Sequence, residues 1–204
     1  MAHKPLFSKC LFLVLILLTS CSSKAQQPPN QNGLAPASDR KVAAKFSYPI
    51  GDGTKLTQAK DRKDEWYNAL DFGANDHLGE DWNKNSGGNT DCGEPVYSIA
   101  IGRIVYAEDA GPGWGNVVII THTLPDGKEV QSLYGHMQEI SKTSGDVDIR
   151  EQIGTVGNAN GRYLCHLHLE IRMPTSGNWN LVGGGYAADR TGWLDPSAFI
   201  DSHY

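Results

Sequence analysis

The chain has 204 residues, a formal net charge of −5 and a pI near 5.8. It therefore carries no basic footprint for a nucleic-acid partner, and no block of like charge argues for electrostatic recruitment to anionic lipid. Gly is abundant at 23 residues, which points to one globular domain with many turns rather than long helices.

In chain order, Lys4 and Lys9 precede an uncharged apolar run from Leu11 to Leu18, followed by the small residues Thr19, Ser20 and Cys21. That is the layout of a secretory signal, and the run is too short for a permanent transmembrane helix. Leu18-Thr19-Ser20-Cys21 also resembles a bacterial lipobox, which makes Cys21 the lipidated first residue after removal of residues 1–20. The alternative is a plain signal peptide cut near the same place. Several acyl chains on Cys21 would anchor the protein stably to the cell envelope, at the outer membrane or periplasm where the organism has two membranes. Residues 21–45 are rich in Gln, Pro, Asn, Ser and Ala, cannot bury enough surface to order themselves, and read as a flexible tether.

From Phe46 to Tyr204 short apolar runs alternate with turn residues. A short helix is expected over Gln58 to Ala69. Strands are predicted at Val96 to Ala100, Gly102 to Ala107, Val117 to His122, Val130 to His136 and Leu167 to Arg172, each β-branched or aromatic and bounded by Gly, Pro, Asn or Asp. Pro125-Asp126-Gly127 is a hairpin turn with a mechanism: Pro presets φ and Gly tolerates positive φ. Gly111-Pro112-Gly113-Trp114-Gly115 is a loop. The fold class is mostly β, a single and most simply antiparallel domain. Cys10 leaves with the signal, so Cys92 and Cys165 remain in an exported domain; a disulfide is favoured there, the alternative being two buried thiols.

Five polar residues stand out for chemistry. His166 and His168 lie two apart on a predicted strand and project to the same face, with Leu167 and Leu169 entering the core. Two adjacent imidazoles are poor packing material, and a shared metal, or one ligand beside one catalytic His, resolves the conflict. His77 and Asp81 are four apart, but Gly79 between them favours a loop or bent strand over a helix. His136 ends a strand. His122 has no partner at ligand spacing and reads as structural. Two histidines and a carboxylate around a metal leave a position open for water, the pattern of a catalytic zinc, although other divalent metals also suit such donors.

The ordered set His-x-x-x-Asp (His77, Asp81), Tyr-x-His (Tyr134, His136) and His-x-His (His166, His168) resembles the M23 metallopeptidases of the lysostaphin and LytM type. The resemblance extends through Gly93-Glu94-Pro95-Val96, Gly102-Arg103-Ile104-Val105, Gly115-Asn116, Gln152-Ile153-Gly154 and Asp195-Pro196. It implies an antiparallel β-sheet domain over 46–204 that binds one Zn2+ through His77, Asp81 and His168. It assigns His136 and His166 as the unliganded catalytic histidines, and makes peptide crosslinks of bacterial peptidoglycan the substrate of a monomeric enzyme. Either histidine fits the general base, with His166 favoured, and the other the oxyanion donor. The alternative is a non-catalytic LytM-like regulator that activates other cell-wall hydrolases.

Overall fold

The computed structural model describes residues 41–54 and 65–204. The expected signal, the lipidated Cys21, most of the tether and residues 58–64 of the expected helix lie outside the described residues. The described chain forms β1 (Trp66–Leu70), β2 (Glu80–Lys84), β3 (Pro95–Tyr97), β4 (Gly102–Asp109), β5 (Asn116–Thr123) and β6 (Glu129–Met137). Then come β7 (Glu139–Ile140), β8 (Gly145–Val147), β9 (Gln152–Thr155), β10 (Leu167–Arg172), β11 (Trp193–Leu194) and the helix α1 (Pro196–Ser202). The protein is mostly β, as its sequence predicts. One large sheet runs β1-β2-β10-β6-β5-β4-β8, with β11 added to β10, and a smaller sheet runs β3-β9-β7. Every pairing between these strands is antiparallel.

β5 and β6 are the spine. Val117 to His122 is buried throughout, because both faces of the sheet are covered. Val118 and Ile120 point into the main core with Tyr134, Leu167, Leu169 and Ile171. Val117, Ile119 and Leu133 point the other way, against Trp114 and Val182. Residues of the small sheet (Val96, Ile153), the N-terminal segment (Phe46, Tyr48, Ile50) and α1 (Phe199, Ile200) complete the main core. The Pro125-Asp126-Gly127 turn closes the β5–β6 hairpin as predicted, with Gly127 at φ 82° and its N–H donating to the Leu124 carbonyl. α1 starts on an Asp195 cap whose side chain accepts from the Ala198 N–H, followed by Pro at the first helical position.

Three expectations change. Trp66 to Ala69 is strand, not the end of a helix: Trp66 and Asn68 are buried while Tyr67 and Ala69 are not, a period of two, and aromatic residues suit a pleated surface. The strand expected over Val96 to Ala100 stops at Tyr97. Beyond it the Ser98 hydroxyl donates to the Ala100 carbonyl and the Ile99 N–H goes to the Tyr134 hydroxyl, so local bonds displace the ladder. The packed chain also begins before Phe46, since Val42 bridges Thr123 and Ala43 is buried. No helix among the described residues is long and apolar enough to cross a membrane.

Candidate metal centre and cleft

Register brings the first residues of the site together. β10 lies between β2 and β6, pairing His168 with Asp81 on one side and with Gly135 on the other. Adjacent strands are about 4.8 Å apart, so facing side chains on one side of the sheet meet. Two irregularities adjust this frame. A bulge in β1 at Ala69 lies opposite Asp81. A second places Gly135 and His136 against the single residue Val117, and His136 takes φ 61°. A β-branched or bulky residue resists that left-handed region, and bulges commonly re-aim a side chain beside a site. His77 arrives from a short 3-10 turn, Ala74–Asp76, and pairs with Tyr186. It is therefore on a loop, as Gly79 implies. From the opposite face, Glu80 accepts hydrogen bonds from Trp82 and Ser197 and anchors β2; burial raises its pKa to about 7. Trp82 is fully buried against Tyr48 and lines no groove.

His77, Asp81 and His168 converge. His168 Nδ1 is 3.0 Å from His77 Nε2 and 3.0 Å from Asp81 Oδ1, and His77 Nε2 is 3.4 Å from that oxygen. Donor atoms about 2.0–2.1 Å from a tetrahedral zinc are separated by about 3.3 Å, so the three atoms fit three corners of such a site. The tautomer supports this. His168 Nε2 lies 3.1 Å from Glu170 Oε1, and a carboxylate partner fixes the proton on that nitrogen. The neutral ring then turns a lone pair toward the Asp81 carboxylate, an arrangement stable only with a cation between them. Without a metal the proton plays that part: burial opposes a charge on His168, but bonds to Asp81 and Glu170 outweigh it and hold its pKa at about 9. Burial likewise opposes the charge on Asp81, yet the bonds to His168 and His77 push its pKa well below the usual carboxylate range.

His136 and His166 stand beside this trio. Their ring centroids are 4.7 Å apart, and His166 Nε2 is 3.7 Å from Asp81 Oδ1. His136 Nδ1 lies 3.2 Å from the Trp114 carbonyl and His166 Nδ1 2.9 Å from the Leu164 carbonyl. An oxygen that only accepts assigns the proton to each Nδ1, which leaves each neutral ring with its lone pair on Nε2. Burial, reinforced by the neighbouring His168 and His166 rings, pushes the His136 pKa down to about 3. His122 sits apart, buried between the Ile101 carbonyl and the Ser132 hydroxyl.

The cluster opens on a cleft of about 280 Å³. Its walls include three aromatic residues that sequence reasoning missed. Trp114 stacks on His136 and donates Nε1–H to the Gly183 carbonyl. Tyr163 packs edge-on to His136, and Tyr186 lies 5.0 Å from His77 between ring centroids. Isolated aromatics in glycine-rich loops carry no periodic signal. Cys92 and Cys165 form a disulfide. It ties the loop after β2 to the residue before His166, where Asn83 and Asn89 also hydrogen-bond the Cys165 backbone.

An antiparallel sheet domain that gathers a His-Asp-His cluster able to hold a metal ion beside two further histidines has the make-up of a peptidase. The chain belongs to peptidase family M23, whose family model matches residues 76–180, just over half of it. Among curated proteins it is 37% identical over 81 residues to the DD-carboxypeptidase/endopeptidase Mpg of Neisseria meningitidis, spanning 40% of this chain and 18% of that one. It is 35% identical to the lipoprotein NlpD of Yersinia enterocolitica (39% and 78%) and 33% identical to the murein hydrolase activator NlpD of Salmonella typhimurium (39% and 20%). The match thus spans about a fifth of the Neisseria and Salmonella proteins. The solution structure of lysostaphin has the same fold, with a TM-score of 0.51 at 20% identity over 74% of this chain and 56% of that one.

Proposed function

We propose that this protein is a zinc-dependent endopeptidase that hydrolyses peptide crosslinks of bacterial peptidoglycan, with His77, Asp81 and His168 as metal ligands and His136 and His166 as catalytic residues. One observation carries this reading: two histidines with Nε2 lone pairs free share an open cleft with three converging ligand atoms. A bound zinc ion supplies Lewis acidity, lowering the pKa of a coordinated water toward 7 and polarising a carbonyl. The chain's residues supply the rest. His166, nearer Asp81, takes a proton on Nε2 and returns it to the leaving amine, a role that contributes about 10²–10⁴-fold. His136 donates to the developing oxyanion in the neutral tautomer that carries its proton on Nε2, giving up the ring bond to the Trp114 carbonyl. Tyr163, Tyr186 and Trp114 line the cleft and hold the substrate chain against these groups.

From the sequence we further assign residues 1–20 as a lipoprotein signal and Cys21 as the lipidated residue, followed by a tether. The result is a monomeric domain held in the cell envelope; the name of the Yersinia relative supports this. A second reading has specific support in the name of the Salmonella relative: a regulator that activates other wall hydrolases. Retention of all five site residues favours catalysis. The zinc-loaded protein should release soluble muropeptides from purified walls, and His168→Ala should release none. Zinc binding without release from any of several wall types would sink the catalytic reading and favour the regulator.

A further inference from the structure

His166, His168, Glu170 and Arg172 alternate along one face of β10 and its entry, while Leu167, Leu169 and Ile171 fill the core on the other. The last three of the polar row are buried, Glu170 at 1% and Arg172 at 0% exposure. Burying a carboxylate and a guanidinium is expensive unless each is paired and hydrogen-bonded. Here the pairing is directional. Glu170 Oε1 lies 3.1 Å from His168 Nε2, and Oε2 accepts from Trp193 Nε1 at 3.0 Å and faces Arg172 Nη2 at 3.5 Å. Arg172 also donates to the carbonyls of Asn178, Leu181 and Val182, in the segment leading to Gly184, Gly185 and Tyr186 of the cleft wall.

We propose that Glu170 is a positioning residue for the ligand His168, itself held by Trp193 and Arg172. Its carboxylate keeps the proton on His168 Nε2, sets the ring plane, and so aims the Nδ1 lone pair at the point where His77 and Asp81 also converge. A carboxylate behind a ligating imidazole also makes the ligand more basic, and losing such a partner typically weakens metal binding about 10–100-fold. Through Arg172 the same carboxylate ties the ligand to the wall that carries Tyr186.

The proposal rests on the metal-centre reading, and zinc affinity tests both separately from catalysis. Zinc dissociation constants are measured by competition with a chromogenic chelator for the wild type, Glu170→Gln and Glu170→Asp, beside thermal melting of each metal-free protein. Glu170→Asp keeps the charge against Arg172 while withdrawing the acceptor by one methylene, so it decides the matter where Glu170→Gln does not fold. Both variants are expected to bind zinc at least about 10-fold more weakly, with shifted visible absorption in the cobalt-substituted protein. Trp193→Phe removes one bond to the carboxylate and should move affinity the same way, by less. Wild-type affinity and an unchanged cobalt spectrum in a folded Glu170→Asp would overturn the proposal. A wild type that binds no zinc would overturn the metal centre itself and the proposal with it.

Discussion

His136 makes two hydrogen bonds to one acceptor, the carbonyl oxygen of Trp114: its backbone N–H reaches it at 3.0 Å and its ring Nδ1 at 3.2 Å. Main chain and side chain are thus referred to the same point, which holds the residue at φ 61° inside a bulge. The Trp114 ring then covers the imidazole, with centroids 5.6 Å apart. Gly135 makes room for this, because a β-carbon there would stand 2.9 Å from Trp114 Cζ3 and 3.3 Å from His168 Cβ.

Gly135→Ala should therefore displace Trp114 and turn His136 out of line while sparing the metal ligands. Small misplacements of a catalytic group lower rates by up to about 100-fold. Turnover of a crosslinked muropeptide should fall at least about 10-fold with zinc content unchanged. Loss of zinc in parallel with turnover would show that the alanine acts through His168 instead.

Gly79 occupies the middle of the His77–Asp81 motif for a different reason. A β-carbon there would lie 2.4 Å from the Leu169 carbonyl oxygen and 3.0 Å from both His168 Nε2 and Glu170 Cγ. The carbonyl belongs to the centre of the sheet and cannot swing away. Gly79→Ala should destabilise the metal-free protein by about 1–3 kcal/mol, read from the midpoint of urea unfolding. A midpoint equal to wild type would mean that the loop relaxes and that the close approach is not structural.

The spine of the fold was legible because its strands carry strand-like sequence patterns openly: a near-continuous apolar run in β5, β-branched and aromatic residues in β6, and strict apolar–polar alternation from Leu167 to Arg172 in β10. β1 was not, since its five residues mix aromatic and polar side chains and give too little periodicity to outweigh the charged residues just before it. The helix α1 announces itself in Asp195-Pro196, a cap followed by Pro, but only once those residues are read as a helix start. At the site, the five candidate residues were legible through their order along the chain. Their convergence was not, because it depends on the two bulges and on the β2-β10-β6 order, which are long-range. Glu170 and Arg172 were visible as charges in an alternating strand; that both are buried behind His168 was not.

The Cys92–Cys165 disulfide closes a loop of 73 positions, and such a crosslink stabilises by about 4 kcal/mol on the chain-entropy account. It also braces Cys165, the residue before His166, alongside the bonds from Asn83 and Asn89. The Cys92→Ser, Cys165→Ser double variant should lose stability of that order and should also turn over more slowly at temperatures where it remains folded. The wild type treated with reductant should behave the same way. Lost stability with full turnover would confine the disulfide to a structural role.

Stability should fall on acidification by way of His122, far from the metal ligands in sequence and buried between the Ile101 carbonyl, the Ser132 hydroxyl and the Phe46 ring. Burial lowers its pKa to about 4 from the ordinary histidine value of 6.5. The folded chain therefore resists a proton that the unfolded chain accepts first. The contribution is fully present above about pH 6.5 and is lost as pH falls toward 4, amounting to about 3 kcal/mol across that window. Chemical unfolding of wild type and His122→Gln at a series of pH values isolates it, since the carboxylates titrate alike in both. His122→Gln should be less stable at pH 7, where the Ser132–His122–Ile101 chain is intact in the wild type, but should lose less between pH 6.5 and 4. Parallel curves for the two proteins would show that His122 takes up its proton without unfolding the core around it.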